Sequence, residues 1–196
     1  MKKTLSIFVL LVTMCFCFIS CSSEMSKEEI AKVIGTNEFP TETYRVSYSI
    51  DVSDLKAVVG DSDYVVVAEV KDYVSTSYSA SGMPLTEYTI QVVENIKGKL
   101  DTTKEISIIK EGGLNEKNDK FVIYENDILP QAGKYYIFCI YGQSNGANRV
   151  CGENYTLAIE NGQNYSSEQK YLDILDAYEN EIVSERTRFN SQDEVE

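Results

Sequence analysis

The stretch that decides the fold is residues 63–70, Asp-Tyr-Val-Val-Val-Ala-Glu-Val. β-Branched residues dominate it, and such residues favour strands because their side chains pack well on a pleated surface. A short apolar run of this kind indicates a strand rather than a helix. The sequence therefore predicts a central strand over residues 64–70, with the rest of a sheet built around it.

Six further segments show strand patterns, and the last four of them are each bounded by Gly, Asn or Pro. In the first of them, from Thr43 to Ile50, apolar residues alternate with polar ones, as expected of a half-buried strand. The segments are 43–50, 88–93, 105–109, 120–124, 135–141 and 155–159. Seven short strands with few helical interruptions predict a mainly β domain, with an antiparallel sheet that is closed or folded on itself.

Turn signals separate these strands. Residues 75–85 are polar and contain Gly and Pro, so we expect a long loop there. Asn145-Gly146 is typical of a hairpin turn. Such a hairpin would bring Cys139 close to Cys151, and in an exported protein the two could form a disulfide. The alternative, that they are two separate small apolar residues, stays open.

Helical patterns flank the strands. Ser26 and Glu29 have the capping-box spacing, which predicts a short helix or else a frayed tether within residues 21–42. A second short helix is predicted over 54–60. An apolar stripe predicts an amphipathic C-terminal helix over 167–188. Its members are Tyr171, Ile174, Leu175, Tyr178 and Ile182, and the pair Ser166 and Gln169 is placed to cap it.

The N-terminus has the pattern of an export signal. Lys2 and Lys3 precede an apolar run that ends at Ser20-Cys21, with a small residue just before the cysteine. The run is short for a transmembrane helix, which needs about 20 apolar residues. We therefore expect residues 1–20 to be a signal peptide, with cleavage between Ser20 and Cys21.

Cys21 would then become the N-terminus and carry the lipid. The segment Phe18-Ile19-Ser20-Cys21 resembles the lipobox of bacterial lipoproteins, with Phe where Leu is usual. Cys15 and Cys17 follow bulky residues, so they are interpreted as apolar members of the signal. Anchoring by two or three acyl chains would be stable, because each buried methylene contributes about 0.8 kcal/mol. Secretion without a lipid is the alternative.

Composition excludes several function classes. Loss of Lys2 and Lys3 from the 18 Lys and Arg residues, against 31 Asp and Glu, takes the net charge from −13 to −15. Such an acidic surface repels phosphate backbones, so we expect no nucleic-acid partner. The chain has no His, which removes imidazole-based catalysis and most zinc sites. Gly112-Gly113 lacks the Lys-Ser/Thr of a P-loop and is interpreted as a turn with positive φ.

Side chains for a ligand site are few. Aromatic residues near the long loop are candidates because rings can stack on a ligand; they are Tyr73, Tyr78 and Tyr88. Four carboxylates lie near the short helix but lack the calcium-loop spacing; they are Asp51, Asp54, Asp61 and Asp63. We therefore expect no metal and no cofactor, and no enzyme activity.

Part of the chain resembles known protein groups. The segments 63–70, 88–98, 111–113 and 133–138 look like strand-turn motifs of small Gram-positive surface lipoproteins of unknown function. More distantly, the strand ending at Lys97-Gly98 is similar to the netrin-like module of metalloproteinase inhibitors, which implies an OB-like barrel. Those inhibitors use a free N-terminal cysteine and several disulfides, so inhibition is not implied here.

Together these patterns predict a domain over 43–188 and a disordered tail over 189–196. The expected function is that of a lipid-anchored protein on the extracytoplasmic side of the cell membrane. It would be a non-catalytic binding or envelope-associated module. The alternatives are a structural or stress-related envelope component without a small-molecule ligand, and a carboxylate-based hydrolase.

Overall fold

A computed structural model describes residues 25–196, and within them the protein is mainly β with flanking helices. The predicted signal, Ser20 and Cys21 lie outside the described residues. The helices are α1 (Lys27–Val33), α2 (Leu55–Asp61) and α3 (Gln169–Glu179), with a 3-10 turn at Tyr165–Ser167. The strands are β1 (Thr41–Tyr44), β2 (Tyr64–Tyr78), β3 (Pro84–Lys97), β4 (Glu105–Glu111), β5 (Gly113–Leu114), β6 (Phe121–Tyr124), β7 (Tyr135–Gly142), β8 (Asn148–Val150) and β9 (Thr156–Ile159).

The larger sheet is organised around the predicted central strand. Its order is β2-β3-β4-β8-β7-β9, and β2 also pairs with β7. Strands β2 and β3 form a long hairpin that continues to the pair Tyr78 and Pro84. The loop predicted over 75–85 is therefore wrong for most of its length, and the turn occupies only residues 79–83. The Ser and Thr residues of 75–77 pair with β3. An antiparallel hairpin can carry polar side chains on its solvent-facing side.

Both sheets are mixed, so the prediction of a purely antiparallel sheet is not confirmed. In the larger sheet β8 is antiparallel to β7 but parallel to β4, with Ile109 opposite Arg149. β8 is the hairpin partner of β7, and it lies between β7 and β4 in the sheet. Its direction is therefore set by β7, and this makes it parallel to β4. In the smaller sheet, of order β1-β6-β5, β1 is parallel to β6 with Thr41 opposite Phe121.

The strand predicted over residues 43–50 ends much earlier in the structure than its alternating pattern indicates. β1 ends at Tyr44, and Val46 is 45% exposed. The alternation up to Ile50 has no neighbouring strand to pair with, so residues 45–48 run without a ladder. The ring of Tyr48 packs on Tyr124 instead, with ring centroids 6.5 Å apart.

The core is filled from β2 outward, and all three helices contribute side chains to it. Val65, Val66 and Val67 are each fully buried, so both faces of the central strand are covered. α1 has the predicted capping box, formed by Ser26 and Glu29. α2 begins at the predicted place, where the Asp54 carboxylate accepts from the amide of Lys56 at 2.9 Å. No helix within residues 25–196 is both long and apolar enough to cross a bilayer.

The C-terminal helix is shorter than predicted. α3 ends at Glu179 rather than 188, and its N-cap is Glu168, without a side-chain hydrogen bond, in place of the predicted Ser166. The predicted stripe packs only in its first half, because Ile174 is buried whereas Ile182 is 55% exposed. After α3 the chain turns onto α2, where the amide of Ile182 donates to the carbonyl of Lys56 at 3.0 Å.

The prediction of a disordered tail over 189–196 is wrong. Ser191 and Asp193 are buried, and the amide of Ser191 donates to the Tyr64 hydroxyl at 2.9 Å. The amide of Val195 donates to the carbonyl of Lys99 at 2.9 Å. The tail thus crosses from α2 to the β3–β4 turn and is part of the domain.

Candidate functional site

Cys139 and Cys151 are both free thiols, so of the two alternatives that the sequence left open the structure has two separate cysteines rather than a disulfide. The hairpin after β7 does form, and its ladder would bring the two cysteines opposite each other if it continued. Instead, residues 151–154 turn away before β9 rejoins β7. Tyr155 takes the position opposite Cys139, and the Cys139 amide donates to its carbonyl at 3.0 Å.

Neither thiol is placed for catalysis. Burial raises the pKa of Cys139 to about 12 and that of Cys151 to about 12. A reactive cysteine needs the thiolate, which such a shift suppresses at neutral pH. The two thiols therefore behave as small apolar side chains.

The three candidate aromatic residues do not form one site. Tyr73 and Tyr88 are 4% and 0% exposed and pack edge to face in the core, with ring centroids 6.3 Å apart. Their predicted role in ligand stacking is contradicted by this burial. Tyr78 is 37% exposed, and its hydroxyl donates to the carbonyl of Leu114 at 3.3 Å. Only Tyr78 faces a surface that a ligand can reach.

Beside Tyr78 lies a surface groove of about 510 Å³, which we call the hairpin groove. One wall is the outer face of the smaller sheet, and the others are the β2–β3 turn and the loop between β5 and β6. Its lining residues are Glu42, Tyr44, Ser81, Gly82, Met83, Asn115, Glu116, Lys117, Asp119, Lys120 and Val122. It is open to solvent.

The hairpin groove combines charge with apolar surface. Lys120 donates to Glu42 at 2.5 Å, and this hydrogen bond lowers the pKa of the Glu42 carboxyl. Both side chains are about 40% exposed, so solvent screens the pair and it contributes little to stability. Tyr44 is 46% exposed, and Met83 is half-buried. The groove can accept hydrogen bonds, charge and an apolar group, but it holds no paired nucleophile and base.

Sequence reasoning did not single out the groove residues. The available signal was Met83, an apolar side chain in a polar turn next to Gly82. The other walls come from β1 and β6, which are distant in sequence and meet only through a parallel pairing. No local pattern predicts that pairing.

A buried ion pair lies elsewhere in the interior. Lys110 and Asp127 form a salt bridge with side chains 0% and 1% exposed. Lys110 also donates to the carbonyl of Glu111 at 3.2 Å, and Asp127 accepts from the Ile128 amide at 2.8 Å. Burial raises the pKa of Asp127, although the charge of Lys110 acts in the opposite direction. Because both groups are closed off from solvent, the pair is structural. The sequence signal was Lys110 continuing the buried alternation of Ile106 and Ile108.

The acidic cluster near α2 binds the chain's own tail. Asp61 accepts from the hydroxyl of Ser184 in the tail, and from that of Tyr141 in β7 at 2.6 Å. Asp63 pairs with Arg186 at 2.7 Å and with Arg188 at 3.0 Å. Within the described residues no three His, Cys, Asp or Glu side chains converge as a metal site. These carboxylates therefore have partners already.

The other two carboxylates hold turns together. Asp51 accepts from the Ser53 amide at 3.0 Å, and Asp54 caps α2.

Comparison with known proteins assigns no function. No family model matches the chain, and no curated protein matches it significantly.

Proposed function

We propose that this protein is a lipid-anchored, extracytoplasmic binding module that takes its ligand in the hairpin groove. The anchor is the diacylated Cys21 left after removal of residues 1–20. The support is the order of features in the sequence: Lys2 and Lys3, an apolar run, then a small residue before cysteine.

The domain proposed to carry the groove is an OB-like barrel. The support is the strand order, since β2 pairs with both β3 and β7 and the intervening strands follow β3-β4-β8-β7. An OB barrel is a five-stranded, partly open Greek-key barrel, whose first inter-strand loop helps to bind ligands. In this chain the corresponding loop is residues 79–83, which line the hairpin groove.

The observation that carries the binding function is the composition of the hairpin groove. It is concave and combines the exposed ring of Tyr44 and the half-buried thioether of Met83 with an ion pair, whereas the Lys110–Asp127 pair of the interior is closed off from solvent. Ligand sites combine apolar walls with a few fixed polar groups. A carboxylate-based hydrolase is the weaker proposal, because two of the carboxylates that line the groove are already engaged: Glu42 pairs with Lys120, and Asp119 accepts from the Asn115 side chain at 2.7 Å.

The anchor is tested by fractionation of cells that express Cys21→Ser. The variant should leave the membrane fraction, because it cannot be acylated. Cys17→Ser is the matched control and should stay with the membrane. A Cys21→Ser protein that sediments with membranes as the parent does would overturn the anchor.

The binding function is tested by methyl NMR of the domain with a panel of short peptides and oligosaccharides. We expect shifts confined to Met83 and Val122 for at least one probe, and their loss in Met83→Lys. If no probe shifts these methyl groups, the structural envelope component without a ligand is the better account.

A further inference from the structure

The folded domain begins only a few residues after the proposed anchor, Cys21. Met25 packs against the core, and Ile30 and Ile34 of the α1 segment are 8% and 1% exposed. Lys27 of α1 binds Asp72 of β2 at 2.6 Å. The expected tether over 21–42 is thus largely part of the folded domain.

Little chain is left to separate the domain from a bilayer. From Cys21 to Met25 there are four residue steps, which reach about 14 Å at full extension. This step rests on the proposed acylation of Cys21. The domain surface around Met25 must then lie within that distance of the lipid headgroups.

The surface around α1 has a charge that suits this position. α1 carries two basic and two acidic side chains, and residues 69–72 together with Lys134 add two of each, although the chain as a whole is strongly acidic. The basic residues are Lys27, Lys32, Lys71 and Lys134, and the acidic ones are Glu28, Glu29, Glu69 and Asp72. They share one region because Lys27 binds Asp72 and the Val70 amide donates to the carbonyl of Lys134 at 2.9 Å. An anionic bilayer repels acidic surface but not a balanced one.

We propose that the face formed by α1 and the middle of β2 lies directly against the lipid headgroups. The β3–β4 turn, residues 98–103, points away from them. Asp72 is opposite Thr89, whereas Val65 is opposite Lys97 at the other end of the hairpin. With about 3.3 Å per residue, that end lies about 25 Å farther along the sheet.

Energy transfer to a labelled lipid tests this orientation. The chain has no Trp, so a single introduced Trp is a unique donor. Glu28→Trp places it on the exposed start of α1, and Thr102→Trp places it on the exposed β3–β4 turn. The acylated full-length protein is placed in vesicles of phosphatidylglycerol and phosphatidylethanolamine with a dansyl headgroup acceptor.

We expect several-fold stronger transfer from Trp at position 28 than from Trp at position 102. Equal transfer from both positions, or stronger transfer from position 102, would overturn the proposed face while leaving the anchor in place. Failure of the anchor has a different signature, because Cys21→Ser would then cosediment with vesicles as well as the parent does.

Discussion

Gly60 of α2 and Ile182 of the tail meet backbone to backbone. A Cβ at position 60 would collide with the carbonyl oxygen of Ile182, whose amide donates to the carbonyl of Lys56 at 3.0 Å. A second glycine repeats the arrangement, since a Cβ at Gly142 would collide with the carbonyl oxygen of Phe189. The tail after α3 therefore depends on two positions without side chains.

Gly60→Ala should destabilise the protein, although Ala is the better helix former by about 1 kcal/mol. The added methyl must displace the tail, and we expect a net loss of about 1–3 kcal/mol in the free energy of unfolding. Urea denaturation measures it. In a chain that ends at Glu179 the obstacle is gone, and the same substitution should become neutral or stabilising. The same loss in both chains would contradict the contact.

Stability should fall in acid through Asp61. Burial raises the pKa of this carboxyl, but hydrogen bonds from Ser184, Tyr141 and Tyr155 together with the charge of Arg186 bring it below its ordinary value of 3.8. A carboxyl with a lower pKa in the folded state stabilises the protein above the unfolded-state value, and that stability is lost as the pH falls through the folded-state pKa.

Asp61→Asn should therefore show a smaller drop in the free energy of unfolding below pH 3.8 than the parent. Urea melts over a series of pH values measure the slope. Parallel curves for the two proteins would show that Asp61 is not tied to the tail as described.

Two buried tyrosines should respond oppositely to removal of the hydroxyl. The Tyr88 hydroxyl has no hydrogen-bond partner within residues 25–196, whereas that of Tyr136 accepts from the Gln131 amide at 3.0 Å. Tyr88→Phe should be neutral or stabilising, and Tyr136→Phe should cost about 1 kcal/mol. Thermal unfolding of the two variants checks this. An equal loss in both would contradict the assigned partners.

The sequence predicted those elements whose causes are local. The capping box of α1, the short helix α2 and the strand at 64–70 were all found where expected. Each depends on residues a few positions apart. The alternating pattern after Tyr44 does not form a strand, because a strand also needs a neighbouring strand to pair with. The neighbour of β1 is β6, which ends at Tyr124.

The site was less predictable because its parts come from distant segments. The hairpin groove brings Glu42, Lys120 and Met83 together from three separate segments, and no local pattern in the sequence predicts that they meet. The tail is likewise held in place by the ion pairs of Arg186 and Arg188 with Asp63. These residues are more than 120 positions apart, so no local pattern in the sequence predicts the pairs. Composition, by contrast, excluded imidazole chemistry before any fold was known.

The two cysteines should be free in the mature protein. We expect no reaction of Cys139 or Cys151 with a thiol reagent in the native state, because burial raises the pKa of each to about 12. After unfolding without a reductant, both should react. Titration with a chromogenic disulfide measures the number, and a denatured protein with neither thiol reactive would show that they are bridged.

The central claim is that Cys21 is the acylated N-terminus. The most direct measurement is the intact mass of the protein extracted from membranes with detergent. The account predicts a chain that begins at Cys21 and carries a diacylglyceryl group. An unmodified polypeptide mass, whether the chain begins at Met1 or at any residue near the predicted cleavage position, would contradict it.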